Sequence, residues 1–162
     1  MDSAFGTIIE KLSKWMQVVS GAALLFIMFL TVADVCLRNL FQKPIVGTFE
    51  IVGLGGAVII GFAIPITSFM RGHIFVDFFV QRFSKGVQAI FNVVTRLVSI
   101  AIFVLIAWNL FIYAGSLYAS GEVTLTRQLP FYPIAYGLAG CCIMQCLVLL
   151  VDLQKIFGGT YE

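Results

Sequence analysis

Four long stretches of the chain, 15–33, 51–70, 97–121 and 128–151, contain no Asp, Glu, Lys, Arg or His. Each approaches or exceeds the roughly 20 residues that a helix needs to cross about 30 Å of hydrocarbon. Lipid offers no hydrogen bonds to backbone amides, so helix is the economical way for such stretches to cross. The alternating pattern of a membrane β-barrel is absent. The pattern predicts an all-α integral membrane protein, a single domain over 1–162, with four transmembrane helices at about 15–37, 49–70, 87–119 and 131–152 plus interfacial amphipathic segments.

The polar interruptions carry the rest of the reading. Between 71 and 88 the residues His73, Asp77, Gln81, Lys85 and Gln88 recur every three or four positions among Ile74, Phe75, Val76, Phe78, Phe79, Val80 and Phe83. As a helix this is a narrow polar stripe on an apolar rod, which needs lipid or protein to cover it. His73, Asp77 and Gln81 are therefore candidates for contact with a partner. From 5 to 19 the apolar positions Phe5, Ile8, Ile9, Leu12, Trp15, Met16 and Val19 oppose Glu10, Lys11, Lys14 and Gln17. Such a segment either lies along the membrane surface or extends the first span straight into water.

The first span ends in Asp34 and Arg38, four residues apart, and Glu50 opens the second beyond a turn containing Pro44 and Gly47. These three charges are expected to pair near one membrane face and fix the first hairpin. Within the second helix Gly53, Ala57 and Gly61 share a face that a neighbouring helix can approach closely. Pro65 is expected to kink that helix. The third helix has nothing to stop it between 86 and 118, so it must tilt or protrude, with Arg96 snorkelling to the interface. Pro130 and Pro133 exclude a continuous helix between the third and fourth spans, where Phe131 and Tyr132 suit the interfacial belt.

Composition agrees with this class: 60% of residues are hydrophobic and 11% charged, with a mean hydropathy of +1.03, far from the roughly 25% charged residues of soluble domains. The apolar stretch that follows Lys11 and Lys14 is too long for a signal-peptide core. Lys11, Lys14, Arg71, Arg82, Lys85 and Lys155 collect on one side, against Arg38, Lys43 and Arg127 on the other. The excess of positive charge assigns both termini to the cytoplasm and leaves Lys43, Glu122 and Arg127 facing the periplasm.

Candidate chemistry is sparse. One histidine cannot supply a bis-histidine haem or a three-histidine zinc site, and no phosphate-cradling loop, Ser-His-Asp set or basic surface for nucleic acid is present. Four cysteines, Cys36, Cys141, Cys142 and Cys146, read as packing residues; Cys142 and Cys146 share a helix face and leave a small thiol-redox protein as one alternative, a self-assembling channel being another. The reading is a non-enzymatic membrane scaffold.

In order along the chain, Asp34, Arg38, Phe41, Pro44-Ile45, Gly47, Glu50, then Gly72-His73-Ile74 with Val76-Asp77, then Gly121-Glu122, Thr124, Leu129-Pro130 and Tyr132-Pro133 resemble the small membrane subunit of tripartite ATP-independent periplasmic (TRAP) transporters. Tyr132 stands where that family often carries tryptophan. The resemblance implies a secondary transporter of the bacterial or archaeal cytoplasmic membrane. In it, a periplasmic substrate-binding protein hands an organic acid, such as a sialic acid or a dicarboxylate, to two membrane subunits. It further implies a large multi-span elevator subunit that holds the substrate and the coupling Na+, no cofactor in this chain, and a bracing role for the small subunit. With its end at Glu162 the chain is similar to the unfused form of that subunit.

Overall fold

The computed structural model describes residues 4–70 and 85–157. They form four helices: α1 (Ala4–Phe41), α2 (Thr48–Phe69), α3 (Lys85–Ser120) and α4 (Tyr132–Phe157). Each holds a span long and apolar enough to cross a membrane, so this is a multi-pass, all-α membrane protein. The stripe bearing His73, Asp77 and Gln81 lies outside the described residues.

α1 is a single helix of 38 residues, about 57 Å long. The amphipathic start and the first span are thus one rod, and the start does not turn to lie along the surface. Its packing supplies the reason. Ile9 is buried with Met144, Val148 and Val151 of α4, and Met16 and Phe69 close over this cluster. Burying Ile9 in protein holds the first turns of α1 against α4, where an interfacial helix would have given that face to lipid.

α1 stops because Gln42 adopts a left-handed conformation (φ 54°) and Pro44 follows. The Lys43 amide folds back to the Leu37 carbonyl (3.3 Å). Gly47 then takes φ 85° before α2 begins, a value that costs glycine little. Pro65 lies inside α2 and is buried.

The helices pack in the order α1, α2, α4, α3, with a smaller contact between α1 and α4. In the apolar span of α4, 44% of residues are buried, against 11% in α1 and α3 and 17% in α2. α4 is therefore the interior helix, and the others keep wide apolar faces turned outward. Leu25 and Phe29 on α1, and Leu105, Trp108 and Ile112 on α3, are among the exposed apolar side chains.

Small residues set the close contacts. Ala114 and Leu117 of α3 meet Ala135 of α4. A side chain at Gly55 would lie 2.6 Å from the Ile27 methyl of α1, and one at Gly61 would strike Leu138 of α4. The expected seam of Gly53, Ala57 and Gly61 is therefore divided. Gly61 serves α4, Gly55 serves α1, and Gly53 is exposed with open space before it. α2 has a neighbour on each side, so one stripe cannot serve both.

Candidate functional site

At the end of the molecule that carries both short connections, a network of side chains ties the hairpins together. Asp34, 4% exposed, accepts hydrogen bonds from Arg38 Nη2 at its Oδ2 (2.7 Å) and from the Ile45 amide at its Oδ1 (2.7 Å). The first bond lies along α1 and the second crosses the turn, so one carboxylate fixes where the chain re-enters the membrane. The Arg38 guanidinium stands 5.9 Å from the centre of the Phe49 ring, within cation–π range.

Glu50 does something else. Its two oxygens accept the backbone amides of Thr126 (2.6 Å) and Arg127 (2.9 Å), 76 and 77 residues further along. The expected three-way pairing with Asp34 and Arg38 is thus corrected: Asp34 and Arg38 hold the first hairpin, and Glu50 holds the third connection to α2. The physical reason is geometric. Consecutive amides in a turn present two parallel donors that match a carboxylate, whereas Arg38 is already engaged by Asp34.

The clamped connection is a small closed loop. The Thr124 amide donates to the Leu129 carbonyl (2.9 Å), the Gln128 amide to the Thr124 carbonyl (3.0 Å), and the Leu129 amide to Thr124 Oγ1 (3.0 Å). Val123 and Pro130 form an isolated β-bridge. Arg127 Nε donates to the Val46 carbonyl (2.8 Å), and its side chain crosses Gly47 so closely that any larger residue there would collide. Arg127 therefore links the two connections, while Lys43 and Glu122 are exposed beside them. At the tip of the loop Leu125 is 99% exposed.

Two polar contacts lie elsewhere between helices. Arg96 Nε of α3 and Asp152 Oδ2 of α4 pair at 2.6 Å, both side chains largely buried. Arg96 was expected to snorkel; it has a partner in protein instead. Both residues directly flank charge-free stretches, and that shared position was the available signal. Gln145 of α4, 1% exposed, donates to Ser68 of α2 (2.6 Å). Its place in an apolar run marked it as a polar residue needing a partner.

Two of the cysteines lie at contacts between helices, while Cys36 is exposed. Cys141 approaches Gly61, and Cys146 Sγ lies 4.0 Å from the Ile100 carbonyl of α3. Among the described residues no group of three His, Cys, Asp or Glu side chains is placed to hold a metal ion. The network joins the turn after α1, the start of α2 and the loop between α3 and α4.

No curated protein matches this chain significantly. The profile of the family described as tripartite ATP-independent periplasmic transporters, DctQ component, matches residues 27–158. That region takes in the last 15 residues of α1, the Asp34 turn, α2, α3, the clamped loop and α4, so the match covers the network just described. The chain belongs to the DctQ component family of tripartite ATP-independent periplasmic transporters, and is a small membrane subunit of such a transporter.

Proposed function

We propose that this subunit is the non-transporting scaffold of a sodium-driven transporter. It would brace a large elevator-type membrane subunit while a periplasmic substrate-binding protein delivers an organic acid, a sialic acid or a dicarboxylate. The observation that carries this reading is the open row of helices. α4 is the most buried of the four, while α1 and α3 flank the row with apolar faces wide enough for a protein partner as well as lipid. The charged groups support it too: Arg96 and Asp152 sit near the ends of their spans, Val93–Ser120 and Tyr132–Gln154, and are paired. An ion pathway would place such groups toward the middle.

In this reading the coupling Na+ binds in the large subunit, and the membrane is the cytoplasmic one with both termini inside. Gly53 and Ala57, on α2, together with His73, Asp77 and Gln81, meet the large subunit. Lys43, Glu122 and Arg127 face the periplasm, where the binding protein arrives. The test is purification of the tagged subunit from its native membrane in mild detergent. A larger multi-span protein should accompany it in a one-to-one ratio, and uptake in vesicles should require both. Uptake by the large protein alone, or a subunit that purifies without one, would overturn the proposal.

A further inference from the structure

The outer face of α1 carries an open groove of about 240 Å³ lined by Lys11, Lys14, Trp15 and Val18. Their spacing of three and four residues places them in one line along the helix. Trp15 is 68% exposed and Val18 64%. Continuing down the same line, Ala22, Leu25 and Phe29 are also exposed. The face thus begins with two ammonium groups, passes an indole, and becomes wholly apolar over the next three turns. Glu10 accepts a hydrogen bond from Lys14 (2.6 Å), so among the described residues of this rim one carboxylate stands against two cations and leaves a single net positive charge.

We propose that this face is a binding site for an anionic phospholipid of the leaflet on the amino-terminal side of α1. The phosphate would lie between Lys11 and Lys14, with the glycerol backbone against Trp15 and an acyl chain along Val18, Ala22, Leu25 and Phe29. Charge complementarity selects the occupant. An anionic lipid brings one negative charge to a rim of one positive charge. A zwitterionic lipid adds a cationic headgroup that the lysines repel. A dissolved anion has no use for the apolar line below, and a wholly apolar partner would leave two ammonium groups uncovered. The site does not depend on the identity of the transporter, only on α1 crossing the bilayer.

The chain has two tryptophans, so Trp108→Phe leaves Trp15 as the sole indole reporter. The full-length chain carrying that change is placed in phosphatidylcholine vesicles. These contain a small mole fraction of either phosphatidylglycerol or phosphatidylcholine with brominated acyl chains, which quench a neighbouring indole. Brominated phosphatidylglycerol should quench Trp15 at several-fold lower mole fraction. That preference should be lost in Lys11→Gln/Lys14→Gln, persist in Lys11→Arg/Lys14→Arg, weaken with salt, and survive added glycerol phosphate. Equal quenching by the two lipids in the lysine-bearing chain overturns the proposal without any lysine variant. So does a preference that Lys11→Gln/Lys14→Gln leaves intact, or one that dissolved glycerol phosphate removes.

Discussion

Arg96 and Asp152 stand 56 residues apart in sequence and 2.6 Å apart between α3 and α4. With side chains 13% and 14% exposed, both charges are largely withdrawn from water, so removing either one takes a short ion pair from a poorly hydrated place. Asp152→Ala is expected to destabilise the subunit by about 3 kcal/mol. Replacing both residues together, Arg96→Met with Asp152→Leu, should cost markedly less because neither charge is left behind without this ion pair. Thermal unfolding in detergent measures both, and an Asp152→Ala protein as stable as the parent would remove the pair from the account of how α3 is held.

The Glu50 clamp yields a local prediction. Its two acceptor oxygens protect the Thr126 and Arg127 amides, so Glu50→Ala should speed hydrogen exchange at those amides by roughly ten-fold or more. The Thr124 amide, bonded within the loop itself, should change much less. Glu50→Gln should fall between, since its amide oxygen still accepts one hydrogen bond. Unchanged exchange at residues 126 and 127 in Glu50→Ala would show that the loop is held by Arg127 and its own hydrogen bonds.

How much of this was legible in the sequence follows from the range of each interaction. The four spans are visible because a charge-free run of sufficient length is a local property, and the Asp34 and Arg38 pair because its four-residue spacing is local too. The partner of Glu50 depends on where a loop some 76 residues away comes to rest, and no periodicity encodes that. The division of α2's small residues between Ile27 and Leu138 was hidden for the same reason. Sequence shows which face is smooth, whereas helix order decides which neighbour uses it. Membership of the family was readable because residues such as Asp34, Glu50 and Thr124 recur in order near the span ends, where these three hold the turns.

The first hairpin should be far more sensitive at Asp34 than at Arg38. Asp34 is buried and joins α1 to the Ile45 amide across the turn, while the Arg38 side chain is half exposed. Asp34→Ala removes the acceptor for that amide; Arg38→Ala leaves it in place. The fall in melting temperature should be about twice as large for Asp34→Ala, given that an orphaned buried donor costs more than a lost exposed partner. Arg38→Glu should resemble Asp34→Ala, because two carboxylates four residues apart repel. Equal falls for the two alanine variants would mean that the Ile45 bond contributes little.

Gly61 and Gly53 separate the subunit's own fold from its assembly. A leucine at 61 must displace Leu138 in the contact between α2 and α4, so Gly61→Leu should lower the stability of the isolated subunit by about 2 kcal/mol, as overpacked contacts do. A Cβ at 53 would meet nothing within 4 Å and the position is exposed, so the isolated Gly53→Leu subunit should unfold as the parent does. If α2 presents Gly53 to the large subunit, the same change separates two helix backbones that pack through a missing side chain. Gly53→Leu should then reduce recovery of the complex while leaving the small subunit folded, with Ala57→Leu behaving similarly but less cleanly because Ala57 is partly covered. Melting curves of the isolated subunit and copurification yields from the same membranes read the two effects independently. Full recovery of the complex with Gly53→Leu assigns that face to lipid and moves the protein interface to another part of the row, whereas an unstable isolated Gly53→Leu subunit would contradict the open space seen before it.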